Sequence, residues 1–293
     1  MVYVPTLKPL MKDSDDIYTE ITYEKRFTTV DDITHDENHI HDFHEIYINL
    51  SGDVSFLVEN HLYAIHRGDI VVTVPNEVHR CIYHSNCIHE HFCIWIRAIP
   101  FITDYLKNRF DKNHLLVLSE EDKERMIEFC FAFYKSRREE ERPFEAVKHF
   151  FEILDLLHSE RHEDGEAQSL PSGISEIVEY ILRHYTEPSC TVAQLCNAFY
   201  ISKSTLCRQF RNYFQTTPSN FIESKRFAKA KKLLGAGQSV QDACLNSGFS
   251  DCSYFIMRFR KKFGVTPHQY QKAFHGANKA DGASPPESRD KLV

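Results

Sequence analysis

The chain has 293 residues, of which 42% are hydrophobic, 26% charged and 13% aromatic. At roughly 150 residues per domain this suggests about two domains with real cores, and no apolar run nears the roughly 18 residues of a membrane span, which excludes the membrane and disordered classes. The net charge of −7 hides an asymmetry: residues 1–171 carry 18 Lys+Arg against 33 Asp+Glu, a balance of −15, whereas residues 172–274 carry 14 against 6, a balance of +8. A basic rear half points to a polyanion partner, and the acidic front half would be repelled by the same partner. The first residues lack the charged start, apolar stretch and cleavage site of a signal peptide, and nine scattered cysteines form no CxxC pair. Both features set the expectation of a reduced, cytoplasmic protein without a disulfide framework.

Residues 17–97 are rich in Val, Ile, Tyr, Phe and His, in short runs broken by Ser51-Gly52-Asp53, Glu59-Asn60-His61, Arg67-Gly68-Asp69 and Pro75-Asn76-Glu77. This is the spacing of a compact all-β barrel or sandwich. Ser119 followed by three carboxylates opens a helix, and Pro143 opens another in which Val147, Phe150, Phe151, Leu154 and Leu157 form one apolar stripe. The polar stretch after Glu160 reads as a linker, and Ile174 to Phe274 reads as helical throughout.

Within that last segment, Thr191 caps a short helix burying Val192, Leu195, Cys196 and Phe199, and after Tyr200-Ile201-Ser202 a second helix turns Leu206, Phe210 and Phe214 inward. The pattern recurs some fifty residues on: Ser239 caps a helix that stops at Gly248, and the next helix turns Phe255, Phe259 and Phe263 inward and carries Arg258, Arg260, Lys261 and Lys262. Two helix-turn-helix units, separated by one long helix from Pro218, sit in the one basic segment of an acidic chain. These residues, with Arg226-Phe-Ala-Lys-Ala-Lys-Lys-Leu-Leu and the closing Phe263-Gly-Val-Thr-Pro, resemble the DNA-binding domain of AraC/XylS-family transcription regulators over about 100 residues. The resemblance implies double-stranded DNA as a partner, read by Lys203, Ser204, Thr205, Cys207, Arg208 and Arg211 on one helix and Cys252, Ser253, Ile256, Met257, Arg260 and Lys261 on the other. Met257 stands where many relatives carry Arg, so the second helix is expected either to read apolar features such as a thymine methyl or to bind backbone phosphate.

In the front half, His39-Ile-His41 followed by Glu45 and Gly52, and Gly68 to Pro75 with His79, resemble the two motifs of cupins, a small jelly-roll barrel. That resemblance names His39, His41, Glu45 and His79 as a divalent-metal set, suited to Zn, Fe, Ni or Mn. Strand parity places Glu45, Tyr47 and Asn49 on one face and Ile46, Ile48 and Leu50 on the other. If the first face points inward, the cavity is polar and suits a sugar-like effector held by His39, His41, Glu45, Tyr47 and His79. The same residues also fit a metal site or an inert, hydrogen-bonded core.

The expected fold is therefore α+β in two domains: an N-terminal β jelly-roll (cupin-like) barrel followed by helices, then an all-α domain with two helix-turn-helix motifs. The expected divisions are an N-terminal arm (1–16), an effector-sensing barrel (17–100), a helical dimerisation segment (101–162), a linker (163–173), the DNA-binding domain (174–274, motifs near 192–214 and 240–263) and a disordered tail (275–293). The expected function is a transcription factor, in the activator manner, that responds to a small polar effector. It is expected to be a homodimer with its seam on the Val147–Leu157 stripe, although that stripe also fits packing against the barrel, and to contact RNA polymerase but no membrane. The alternative is a metal-dependent cupin enzyme, an isomerase or dioxygenase, with an appended DNA-binding domain. A paired helix-turn-helix favours the regulator, because an enzyme has no use for one.

Overall fold

The computed structural model describes residues 6–11, 16–29, 40–98, 100–110, 113–139, 143–158, 163–164, 168–214 and 216–277. His39 and most of the expected tail lie outside the described residues. The chain divides into two compact units, one holding Asp42–Ser169 with the earlier strands and the other running from Leu170.

The first unit contains β1 (Lys8–Pro9), β2 (Ile17–Thr28), β3 (His44–Ser51), β4 (Val54–Val58), β5 (His61–Ile65), β6 (Ile70–Thr73), β7 (His79–Tyr83), β8 (Cys87–Ala98), α1 (Pro100–Phe110), β9 (Leu115–Val117), α2 (Glu120–Ser136), α3 (Pro143–His158), β10 (Glu163–Asp164) and β11 (Gln168–Ser169). Its strands form a seven-stranded sheet in the order β1-β2-β8-β3-β6-β9-β10 and a four-stranded sheet in the order β11-β5-β4-β7. The expected cupin-like jelly-roll barrel is not found. Closure requires the last strand of a sheet to pair with the first. Here each sheet ends on different edge strands, and among the described residues no ladder joins one sheet to the other. The region is a mixed α/β layer structure, and the domain that follows it is all-α.

Alternation along β3 decides how the layers stack. Ile46, Ile48 and Leu50 enter an apolar core with Phe92, Ile94 and Ile96 of β8, with Leu106 and Phe110 of α1, Met126 and Phe133 of α2, and Phe150 and Ile153 of α3. The intervening residues Glu45, Tyr47 and Asn49 point the other way, and the Tyr47 ring meets Phe56 of β4, in the second sheet, at 4.8 Å. One face of the large sheet is thus covered by helices and the other by the small sheet.

The second unit is α4 (Ser172–His184), α5 (Val192–Ala198), α6 (Lys203–Phe214), α7 (Pro218–Gly235), α8 (Val240–Asn246), α9 (Cys252–Phe263) and α10 (Pro267–Ala277). Helices α5, α7, α8 and α9 start where side chains satisfy orphan N–H groups: Thr191, Thr217 and Ser239 accept from the backbone three residues on, and Asp251 accepts from Ser253 and Tyr254. Gly264 ends α9 in the left-handed conformation at φ 76°. The turns of the two helix-turn-helix units also need positive φ, supplied by Tyr200 (51°) in the first and Gly248 (95°) in the second.

Helix α7 carries both units. Phe221 packs on Phe210 and Phe214 of α6, with ring centroids 5.6 and 5.2 Å away. Phe227 packs on Phe249, Phe255, Phe259 and Phe263 at 5.0 to 6.1 Å. Replacing Phe227 with Ala should cost about 3–5 kcal/mol of the second unit's stability, because it leaves a cavity that four rings share. Urea unfolding followed by helical circular dichroism checks this, and a loss under about 1 kcal/mol would mean the site collapses freely.

Candidate functional site

The expected DNA-contact residues lie on α6 and α9. Leu206, Phe210 and Phe214 are wholly or almost wholly buried, and so are Phe255, Phe259 and Phe263. That fixes the outer row of each helix. On α6, Lys203, Ser204, Arg208 and Arg211 are exposed, with Thr205 and Cys207 half-buried beside them. Ser202 accepts from the Thr205 N–H at 3.1 Å and so caps the helix that carries them. On α9, Ser253, Ile256, Met257, Arg260 and Lys261 are exposed and Cys252 is half-buried. Met257 is 58% exposed and Ile256 38%, an apolar pair left in solvent on a helix whose opposite face is filled.

Counting cations overstates what α9 offers to phosphate. Arg258 makes a bidentate pair with Glu223 of α7, Nε to Oε1 at 2.9 Å and Nη2 to Oε2 at 2.6 Å. Lys262 donates to the Ser224 hydroxyl at 3.2 Å and lies over the Phe227 ring. These two strap α9 to α7, which leaves Arg260 and Lys261 as the outward charges of the Arg258–Lys262 cluster.

The first unit's candidate residues meet between its sheets. Glu45 is 3% exposed, Tyr47 2%, and Asn49 and His79 0%. The Trp95 indole N–H donates to Glu45 Oε2 at 2.5 Å, and the Tyr47 hydroxyl lies 2.6 Å from His89 Nε2. Rings from both sheets interdigitate: His91 stacks 4.9 Å from Tyr47 and 4.7 Å from His89, and Tyr83 meets His89 at 4.8 Å. Buried Asn49 has no hydrogen-bond partner for either side-chain amide atom, and the Thr73 hydroxyl, opposite Glu45 in the β3–β6 ladder, has none either. Tyr47, Glu45 and Asn49 were legible from parity. His89, His91, Trp95 and Thr73 join them only through strand pairing, for which the sequence gives no signal beyond an excess of His.

Of the four expected metal ligands, His41, Glu45 and His79 each offer an atom within 4.8 Å of the others, while His39 is outside the described residues. His79 Nδ1 donates to the Glu77 carbonyl at 3.0 Å, which turns Nε2 toward Glu45 Oε2 at 3.5 Å. Two imidazoles and a carboxylate, with one ring oriented by a backbone carbonyl, could hold a borderline first-row ion. An open cleft at one end of the sandwich is lined by Ser51, Asp53, Ser55, Arg67 and His84 among others. Two of its polar groups are engaged, Arg67 by Glu124 and His84 by Ser55.

The expected dimer stripe divides. Phe150 and Leu157 are fully buried in the first unit's own core, and Val147 and Leu154 are half-buried against it. Phe151 stays 46% exposed, as does Phe144 at 74%.

Burial, helped by the neighbouring His89, pushes the His91 imidazole down to about 3 from 6.5. Between those values the unfolded chain binds a proton that the folded chain refuses, so this contribution to stability is intact above about pH 6.5 and declines as pH falls toward 3. His91→Gln should therefore flatten the loss of urea stability between pH 7.5 and 5. An unchanged loss would place the acid sensitivity elsewhere.

Comparison with known proteins finds a family match in each half of the chain. Residues 26–173 match the AraC-like ligand binding domain, and residues 195–273 match a helix-turn-helix domain. The chain is 27% identical over 226 residues to the uncharacterized HTH-type transcriptional regulator YbfI of Bacillus subtilis, covering 74% of this chain and 80% of that one. It is 21% identical over 247 residues to the HTH-type transcriptional activator RhaR of Mannheimia succiniciproducens, covering 80% and 87%. Among solved structures, the C-terminal domain of the response regulator YesN of Fusobacterium nucleatum is 28% identical, with a TM-score of 0.33, covering 34% of this chain and 99% of that one. YbfI and RhaR are named as regulators, not enzymes, in line with the regulator over the cupin-enzyme alternative. With a ligand-binding domain across half its length and a DNA-reading domain behind it, the chain belongs to the AraC/XylS-type family of ligand-responsive transcription regulators.

Proposed function

We propose that the chain reads DNA with the outer rows of α6 and α9, in response to a small polyhydroxylated effector bound between the two sheets of the first unit. The carrying observation on the DNA side is that each helix buries one aromatic row and leaves the opposite row to solvent. The exposure of Arg208 and Arg211 on α6 supports them as contacts to base edges or phosphates. Ile256 and Met257, apolar and exposed, favour contact with thymine methyl groups from α9, while Lys203, Arg260 and Lys261 supply phosphate contacts. Arg208→Ala should cost about 1–3 kcal/mol and relax preference at one base pair, whereas Lys261→Ala should weaken all sequences alike. Binding to a panel of single-base operator variants decides it. Uniform weakening by Arg208→Ala would reassign that residue to the backbone.

On the effector side, the support is the unsatisfied Asn49 amide and Thr73 hydroxyl in the large sheet, on a face that also holds Glu45 and Tyr47 and is covered by the small sheet with His79. Buried polar groups without partners are rare in folded proteins, and a ligand with several hydroxyls can both donate to and accept from them. A second reading, a metal held by His41, Glu45 and His79, is favoured by the proximity of their ligand atoms. A thermal-shift screen of the full chain with sugars, sugar acids and polyols tests the first, since ligand at 100 times its Kd adds about 2.7 kcal/mol. Asn49→Leu should abolish the shift and any ligand-dependent change in DNA affinity. Near-stoichiometric metal after purification without chelator, with no shift from any polyol, would favour the metal instead.

The same reading includes a dimer, with its seam moved outward on α3. Phe144, Val147, Phe151 and Leu154 follow the 3-4-3 spacing of a helix–helix contact, and the two Phe residues are exposed. Phe144→Lys with Phe151→Lys should convert a dimer to a monomer by light scattering without altering the helical spectrum. A wild-type monomer would remove this element.

A further inference from the structure

In the second unit, the two helix-turn-helix motifs meet at a single arginine that the DNA-reading row does not include. Arg226 projects from α7 into the loop between α4 and α5, where its Nε donates to the Tyr185 carbonyl at 2.7 Å and its Nη2 to the carbonyls of Glu187 and Cys190 at 2.8 and 3.0 Å. That loop leads directly into the first motif. The second motif reaches the same place through Gly248, the turn between α8 and α9. A methyl group added to Gly248 would stand 2.6 Å from the Tyr185 carbonyl oxygen and 2.9 Å from Arg226 Nε. The Arg226 guanidinium also lies 6.0 Å from the centroid of Phe249, the next residue of that turn. One turn back on α7, Glu223 holds α9 through Arg258 and the Tyr254 hydroxyl, the latter at 3.1 Å. Adjacent turns of one helix therefore grip the entry loop of the first motif and the reading helix of the second.

We propose that this joint, Arg226 with the 185–190 carbonyls and Gly248, sets the register between α6 and α9 and thereby the spacing of the two DNA segments that the chain accepts. The inference rests on the reading that both helices enter major grooves. Apolar packing on Phe221 and Phe227 holds each motif to α7 but is non-directional, so by itself it tolerates slippage and rotation. Three directional hydrogen bonds from one planar group to three carbonyls do not. Arg226 is accordingly a positioning residue: it touches no base, and removing it should change where the two helices stand relative to each other rather than what either helix reads.

The test uses the full chain and the duplex it selects from a random pool. Inserting two base pairs between the two selected segments rotates the second by about 70°, since a turn is about 10.5 base pairs. Wild type should bind the selected spacing roughly tenfold or more above the lengthened one, given the usual cost of misplaced contacts. Arg226→Ala should reduce that ratio to about threefold or less while the sequence preferred within each segment stays the same. Arg226→Lys, which keeps the charge but not the planar fork, should fall between, and Gly248→Ala should also lower the ratio. Thermal melting of each variant separates a changed register from lost folding, and the Lys variant keeps the test decisive if the Ala variant does not fold. Folded variants that keep the wild-type ratio, including those that lose affinity equally at every spacing, would overturn the inference while leaving the DNA reading intact. A wild-type chain that selects one undivided segment would overturn both.

Discussion

The ring contacts along α7 are the constraint on which the second unit depends. Phe221 and Phe227 are six residues apart, about 9 Å along the helix axis, and each is the hub of one motif. A helix-turn-helix hairpin of seven and twelve residues buries too little apolar surface to hold itself together. Sharing α7 supplies the missing core to both motifs and ties them into one body. The arrangement also explains why so many cations of α7 and α9 face inward. Arg226, Arg258 and Lys262 fasten elements to α7, so the outward rows of α6 and α9 carry fewer cations than the +8 balance of residues 172–274 implies.

In the first unit the corresponding constraint is strand parity. The large sheet must give one face to α1, α2 and α3 and the other to the small sheet, and β3 divides its residues cleanly between them. The helix-side face is apolar and supplies the unit's core. The sheet-side face is crowded with Tyr, His and Trp, includes Glu45 and carries buried polar atoms without partners. On the proposed effector reading, that inequality would separate stability from sensing: polar substitutions between the sheets should alter what is bound, whereas those on the helix side should alter whether the unit folds. It also offers a route for an effector to act, because a ligand shifts a conformational balance only through contacts that differ between states.

The second unit was legible in the sequence because its signals are local. Capping Thr191 and Ser239, the stop at Gly248 and the Phe spacing of α6 and α9 each lie within a few residues of the feature they specify. What was not legible depends on partners far along the chain. Arg258 reads as a DNA cation until Glu223, thirty-five residues away, is placed beside it. The parity of Glu45, Tyr47 and Asn49 was likewise readable, but whether the strands close into a barrel depends on edge pairing, which spacing does not encode, and here the sheets stay open. On α3 the helical period located an apolar stripe without telling its buried members, Phe150 and Leu157, from the exposed Phe151, and it did not include the exposed Phe144.

The central claim is that one rigid unit presents two helices to two turns of the same DNA face. Methylation-interference footprinting of the full chain on its selected duplex tests it most directly. The account predicts two patches of major-groove interference, centred about 10.5 base pairs apart on one face of the helix. A single patch, or interference confined to the minor groove, would contradict it.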